Sequence, residues 1–190
     1  MDFLPLFHNL KGRRVLVVGG GEIALRKVRL VQEASAYITI IAKDFCPDLI
    51  AMDAKDTADG CNGLELITGA YEHKQLLGYP DTVMVIAATN DRDLNRLVSE
   101  HAQAANMLSN VVDDPGFSTV IFPSIVDRSP IQIAISSGGD APVLVRLLRT
   151  RFESLLPAGM AKLGSLAGSF RERVKAKFSN GADRKAFWEE

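Results

Sequence analysis

A chain of 190 residues, 47% hydrophobic and 24% charged with a formal net charge of -1, has the apolar content of a globular core and excludes a charge-rich disordered polymer. Its apolar runs, such as residues 83–88 (VMVIAA), fall far short of the roughly 18 to 20 residues that cross a bilayer. The opening MDFLPLFHNLKGRR has no charged-then-apolar export signal, so a cytoplasmic protein without a membrane partner is expected. Cys46 and Cys61 form no CxxC pair and His8, His73 and His101 stand apart in the chain, which predicts neither a disulfide framework nor a resident metal site.

Residues 14–18 (RVLVV) are a short β-branched run ending on three glycines, and residues 22–34 then place Ile23, Ala24, Val28, Leu30 and Val31 at helical spacing. Residues 37–42 (YITIIA) turn apolar on both faces, the pattern of a strand buried in a parallel sheet, which completes a βαβ unit. Residues 47–62 read as a short helix running into a polar loop over 55–62. Residues 64–68 (LELIT) and 83–89 (VMVIAAT) read as strands, followed by a polar helix over 91–105 with Asn90 or Asp91 as N-cap. Residues 107–112 (MLSNVV) complete a sheet of about five parallel strands.

The period then changes. Residues 119–126 (TVIFPSIV) and 131–136 (IQIAIS) are strand-like runs around the turn-rich Asp127, Arg128, Ser129 and Pro130, which predicts a β-hairpin. The edge of such a hairpin needs cover, and a second copy supplies it economically, so a homodimer is expected. Residues 143–156 and 160–178 are helical in pattern, with Asp140 as the expected N-cap and Pro142 in the first turn. The expected class is α/β: a Rossmann-type parallel sheet over 1–116, a dimerisation hairpin and loop over 117–142, and a small helical domain over 143–190. Residues 143–190 carry ten Lys and Arg against five Asp and Glu, which suits a polyanionic ligand or simply a solvated helical face.

Three stretches carry chemistry. Gly19-Gly20-Gly21-Glu22-Ile23-Ala24 spells G-x-G-x-x-A between a strand and a helix, the dinucleotide fingerprint, with a merely tight βα turn as the plain alternative. In that fingerprint Gly19 makes the turn, Gly21 lets backbone approach a pyrophosphate, Ala24 lets helix and strand pack closely, and the helix start faces the phosphates with unpaired N–H groups. Asp44, 20 residues beyond Ala24, suits the ribose hydroxyls of NAD, whereas Lys43 beside it suits the 2′-phosphate of NADP; NAD is the reading taken. Residues 110–115 (NVVDDP) fall at the carboxyl end of the last sheet strand, where ligands bind in open α/β sheets, so Asp113 or Asp114 is placed to take protons from a substrate or else serves as a turn residue before Pro115. Residues 136–140 (SSGGD) precede a helix and suit a substrate carboxylate, or form only a glycine loop with an N-cap.

The stretches MDFLPLFHNLKGRRVLVVGGGEIALRK, IAATND, NVVDDP and FPSIVDRSPIQIAISSGGDAPVLVRLLR, with the terminal FW, closely resemble the N-terminal module of siroheme synthases, itself similar to standalone precorrin-2 dehydrogenase/sirohydrochlorin ferrochelatase. The resemblance runs the length of the chain, with residues 55–62 as its main departure. It implies a bifunctional enzyme that oxidises precorrin-2 to sirohydrochlorin with NAD and then inserts ferrous iron to give sirohaem, with cobalt as the alternative metal. It further implies Asp113 as general base; Gly19, Gly20, Gly21, Glu22, Ile23, Lys43, Asp44 and Thr89 as cofactor contacts; and Asn110, Ser137, Gly138 and Arg146 as tetrapyrrole contacts. The iron would be held by the macrocycle's own nitrogens, so the protein needs no metal ligands, and a polycarboxylate substrate gives the basic C-terminal segment a partner other than nucleic acid. Family members also carry a C-terminal methyltransferase module, so the 190 residues leave open a standalone enzyme or a piece of a longer one. A dehydrogenase without chelatase activity and an NAD-sensing dimeric regulatory module are the rival readings.

Overall fold

The computed structural model describes residues 2–58 and 63–189. Two compact units divide the chain, Met1–Phe122 and Pro123–Glu190. The first is built on β1 (Arg14–Val18), β2 (Tyr37–Ala42), β3 (Leu64–Thr68), β4 (Thr82–Ala87) and β5 (Leu108–Val111), all parallel in the order β3-β2-β1-β4-β5. Strand alternation sends Val15 and Val17 into the core on one face of the sheet and Leu16 and Val18 into the core on the other, which is why this strand is apolar at every position after Arg14. Met84 and Ile86 of β4 likewise face one side, Val85 and Ala87 the other.

Helices α1 (Glu22–Glu33), α2 (Pro47–Ala58), α3 (His73–Leu77) and α4 (Arg92–Ala104) connect the strands. Ala24, Leu25, Val28 and Val31 of α1 are buried, the i, i+3, i+4, i+7 stripe of a helix on a sheet. The chain order runs outward from β1 in one direction and then returns to place β4 on its other side, so the switch point, and the crevice it opens, lies between the carboxyl ends of β1 and β4.

The second unit holds a two-stranded antiparallel hairpin, β6 (Ser124–Arg128) and β7 (Ile131–Ile135), and the helices α5 (Pro142–Leu155), α6 (Gly159–Lys177) and α7 (Gly181–Glu189). Gly164 of α6 lies against the hairpin turn: a Cβ there would sit 3.1 Å from Pro130 Cδ and Cγ.

Several expectations need correction. The first hairpin strand begins at Ser124 rather than at residue 119, because Thr119 N–H and Val120 N–H donate instead to Ser109 O of β5 at 2.9 and 3.1 Å, and Pro123 has no N–H to give a ladder. Helix α2 continues to Ala58 instead of yielding to a loop at Lys55, and residues 59–62 of the expected polar loop lie outside the described residues. Asp140 does not cap α5; the N-cap is Ala141, which makes no side-chain bond, with Pro142 supplying the fixed φ of the first turn.

Candidate active site

Gly19 adopts φ +126°, a region L side chains rarely enter, and a Cβ there would collide with the carbonyl of Ala88 at the end of β4. Gly20 has the other constraint: its missing side chain leaves room for the carbonyl of Asp44, just past the end of β2, while its own carbonyl accepts from Cys46 N–H at 2.7 Å. These two glycines therefore lock the turn after β1 between the turns that follow β2 and β4. Gly21 is different. It is exposed, and a Cβ built on it meets no protein atom within 4 Å, so its open side faces the solvent rather than the core.

Gly21 is the N-cap of α1 and supplies no side-chain bond, which leaves the first-turn amides of Glu22, Ile23 and Ala24 without a cap acceptor and the positive end of the helix dipole uncovered. A dinucleotide pyrophosphate fits this helix start. Ala24 is fully buried, as close packing of helix on strand requires, and Ile23 is half-buried beside the exposed Glu22. Lys43 and Asp44 are both exposed in the bend after β2, directly across from Gly20.

Thr89 lies two residues past the end of β4, with its N atom 3.2 Å from where a Gly19 Cβ would stand. Its hydroxyl is engaged within the turn: it donates to Asn95 Oδ1 at 2.7 Å and accepts from Asp91 N–H at 3.1 Å. Asp91, one of the two expected caps, closes the turn by accepting from Leu94 N–H at 3.0 Å.

At the tip of β5 the two adjacent aspartates part company. Asp113 is exposed and holds φ +58°, a left-handed conformation that costs a non-glycine residue energy and that short polar side chains enter most easily. Asp114 carries 17% of its side-chain surface and accepts from Arg92 Nε at 3.1 Å and Nη2 at 2.8 Å. Ser118 fixes the turn between them, taking Val111 N–H at 2.8 Å and reaching Asp114 O at 3.0 Å. Asp113 is thus the aspartate whose carboxylate the turn leaves available. Lys27 of α1 is half-buried, its Nζ 4.7 Å from the centroid of the Phe122 ring; burial lowers its pKa, and the nearby Asp113 carboxylate opposes that by favouring the charged ammonium.

Asn110 of β5 is buried, with Nδ2 donating to Val120 O at 2.9 Å and Oδ1 without a partner, so its carboxamide holds the segment that follows the Asp113 turn. In the second unit Ser137 accepts from Ala141 N–H at 2.9 Å, and Gly138 and Gly139 adopt φ +71° and +108°, conformations that explain the glycine pair. Arg146 is exposed on the first turns of α5. Among the described residues no group of three or more His, Cys, Asp and Glu is placed to hold a metal ion, and no helix is long and apolar enough to cross a membrane.

Lys27, Arg92, Asn95 and Ser118 escape a reading for motifs. Asn95 had a signal: it shares a helical face with the buried Val98, Ser99 and Ala102, where a polar residue must find a buried partner. Sequence spacing also hides the pairing of His73 with His101, whose rings stack with centroids 4.0 Å apart between α3 and α4.

The strand order, the interlocked glycine turn and the uncapped start of α1 define a Rossmann-type dinucleotide-binding protein. Residues 6–124 match the family described as putative NAD(P)-binding, and the chain belongs to that family. Residues 128–155 match the sirohaem biosynthesis protein central family and residues 159–190 the sirohaem synthase dimerisation region, as the resemblance in the sequence requires. The whole chain is 50% identical over 190 residues to the siroheme synthase of Stutzerimonas stutzeri (strain A1501) and 50% identical over 190 residues to that of Methylobacillus flagellatus, and in each case covers 39% of the relative. It therefore spans about two fifths of the length of the curated relatives it matches. The fold is that of SirC, a precorrin-2 dehydrogenase, at a TM-score of 0.73 and 23% identity, covering 97% of this chain and 86% of that one.

Proposed function

We propose that this chain is the dehydrogenase and chelatase part of a sirohaem-forming enzyme, oxidising precorrin-2 to sirohydrochlorin with NAD and then exchanging the macrocycle's inner protons for ferrous iron. The observation that supports it most directly is Asp113, an exposed aspartate in a left-handed turn at the tip of β5, in the unit that carries the glycine turn. NAD, when bound, supplies a hydride acceptor. The chain's part is to hold the pyrophosphate on the α1 amides, to offer Asp44 to the adenine ribose, and to take the substrate proton on an Asp113 carboxylate oxygen as the hydride leaves carbon. In metal insertion Fe²⁺ displaces two pyrrole N–H protons, which the same carboxylate accepts one at a time and hands to solvent, so charge and protons balance without any protein ligand to the metal. Ser137, Gly138 and Arg146 of the second unit are read as contacts for substrate carboxylates, supported by the glycine conformations that open the loop and by the basic charge of α5.

A homodimer belongs to the same proposal, with its interface on the C-terminal helices rather than on the hairpin expected from the sequence, a reading supported by the match of residues 159–190 to the dimerisation region. Leu163, Leu166 and Phe170 lie at i, i+3, i+7 on α6 and are all exposed, as are Phe187 and Trp188 of α7. The test is anaerobic incubation with precorrin-2 and NAD, reading NADH, followed by sirohydrochlorin with ferrous or cobalt ion, reading metallation. NADH formation without metallation above the protein-free rate reduces the reading to a dehydrogenase alone; NAD binding without NADH formation refutes the enzyme.

A further inference from the structure

Asn95 stands outside every motif in the sequence, yet it is a deeply buried polar residue beside the cofactor crevice, with 6% of its surface exposed. It lies in the first turns of α4 and directs its whole carboxamide at one residue of the preceding turn. Asn95 Oδ1 accepts from Thr89 N–H at 3.1 Å and from Thr89 Oγ1 at 2.7 Å, and Asn95 Nδ2 donates to Thr89 O at 2.9 Å. Backbone donor, backbone acceptor and side-chain hydroxyl of Thr89 are all held by a single side chain. Both ends of the buried carboxamide are thereby satisfied on a single residue, as burial of a polar side chain requires.

The position of Thr89 gives this clamp its meaning. Ala88 and Thr89 are the residues against which Gly19 packs with no room for a Cβ, so the peptide that Asn95 holds is the wall on which the glycine turn rests. The Asp91 cap ties the start of α4 to the same turn, through Leu94 N–H and through Asp91 N–H to the Thr89 hydroxyl. β4 and β1 flank the switch point, and the crevice lies outside their carboxyl ends. Any shift of the Thr89 peptide therefore moves one wall of the dinucleotide site.

We infer that Asn95 is a positioning residue for the cofactor: by clamping Thr89 it sets the wall behind Gly19 and so fixes dinucleotide affinity, without touching the reacting atoms. This rests on the cofactor reading of the glycine turn given above. Ser99, one helical turn further along α4, is the matched control. It is buried as well, and its Oγ bonds to Ser109 Oγ at 3.0 Å and to Phe117 O at 2.5 Å, so it ties α4 to β5 and the segment after it and makes no bond to the Thr89 turn.

The experiment is direct titration of the purified full chain with NAD by calorimetry, alongside the NAD KM and kcat of precorrin-2 oxidation and thermal melting, for wild type, Asn95→Ala and Ser99→Ala. Asn95→Ala should raise the dissociation constant and KM for NAD by about tenfold, the scale of one net hydrogen bond, while kcat at saturating NAD stays within about twofold. Both variants should lower the melting temperature, each by losing buried hydrogen bonds, but Ser99→Ala should leave NAD affinity unchanged. If folded Asn95→Ala binds NAD as wild type does, or if Ser99→Ala loses as much affinity, the positioning role is overturned while the cofactor reading stands. If the wild-type chain binds no NAD, the cofactor reading falls and takes the inference with it. Where Asn95→Ala does not fold, Asn95→Ser supplies the test: a hydroxyl too short to bridge Thr89 N–H and O should still weaken NAD binding, and unchanged binding by that variant equally overturns the inference.

Discussion

The two units bury their apolar residues very differently. In the first, β1, β2 and β4 are sealed on both faces and the helices return a buried stripe to the sheet. In the second, α5 and α7 contribute no buried residue among those described, and α6 contributes Val174. Leu144, Leu147, Leu155, Leu163, Leu166, Phe187 and Trp188 stay exposed there. Exposed apolar side chains in such number on three helices are the composition of an interaction surface. The first unit closes its own core and carries the glycine turn, whereas the second leaves most of its helical apolar side chains exposed, the faces on which the proposed homodimer would form.

The sharpest way to break that division is to remove function from the first unit without touching the second. Asp113→Ala should cut precorrin-2 oxidation by about 10²- to 10⁴-fold, the range of general-base catalysis, with the oligomeric state unchanged. Removing an exposed side chain in a left-handed turn leaves the core intact, so melting should move little; steady-state rates and light scattering on the same sample decide it. Asp114→Asn separates the neighbours: it weakens the Arg92 bridge and should cost far less activity than Asp113→Ala.

The three glycines predict a second dissociation. Gly21→Asp adds a Cβ that meets no non-neighbouring protein atom within 4 Å, at an exposed position, so the fold should tolerate it. The same charge faces the pyrophosphate, and at about 4 kcal/mol for two unit charges 4 Å apart near a surface it should weaken NAD binding roughly a thousandfold. Metallation of supplied sirohydrochlorin should survive. Loss of both activities would mean that nucleotide binding shapes the metal-insertion site as well.

How much of this was legible beforehand depends on whether a residue's role is local. β1 and β2 could be read because strands buried on both faces turn continuously apolar, and the glycine turn because its spacing is fixed by one local geometry. Asp91 as a cap belongs to the same group, since its partner Leu94 is three residues away. The rest depends on partners far along the chain. The first hairpin strand starts at Ser124 rather than at residue 119 because Ser109 O takes the N–H groups of Thr119 and Val120, and Asp140 fails as a cap because Pro142 sets the helix start beyond it. NVVDDP announces a turn with two acids, but only the Arg92 bridge from α4 tells which acid is engaged. Helix α3 is five residues long, too short for periodicity to reveal, and is held by the reciprocal bonds of Glu72 and Gln75.

Covering the second unit is a smaller effect to undo. Leu166→Glu with Phe170→Glu places two charges on the exposed face of α6, where each lost apolar side chain is worth about 1.5 to 3 kcal/mol if buried between copies. Sedimentation should show dissociation at micromolar concentration, with the melting of the first unit and its NAD affinity retained. A chain that stays dimeric would put the interface elsewhere.

The smallest effect lies in the seam between α3 and α4 of the first unit. Burial lowers the pKa of His101, and the stacked His73 ring adds to this through charge repulsion, while Glu100 opposes both. Tyr71 Oη lies 3.2 Å from His101 Nδ1, and burial pushes its hydroxyl pKa up to about 12, so the phenol keeps its proton, and which of the two groups donates follows the imidazole tautomer. A base whose folded pKa is depressed binds its proton less readily in the folded chain than in the unfolded one. Its contribution to stability is therefore whole above the ordinary histidine value of about 6.5 and is lost as pH falls through the lower folded value. His101→Gln, which keeps a polar side chain but cannot titrate, should flatten the decline of melting temperature with acid over that window while leaving the neutral-pH melting point nearly unchanged. An undiminished acid slope in the variant would move the titration to another group and leave the seam a packing contact only.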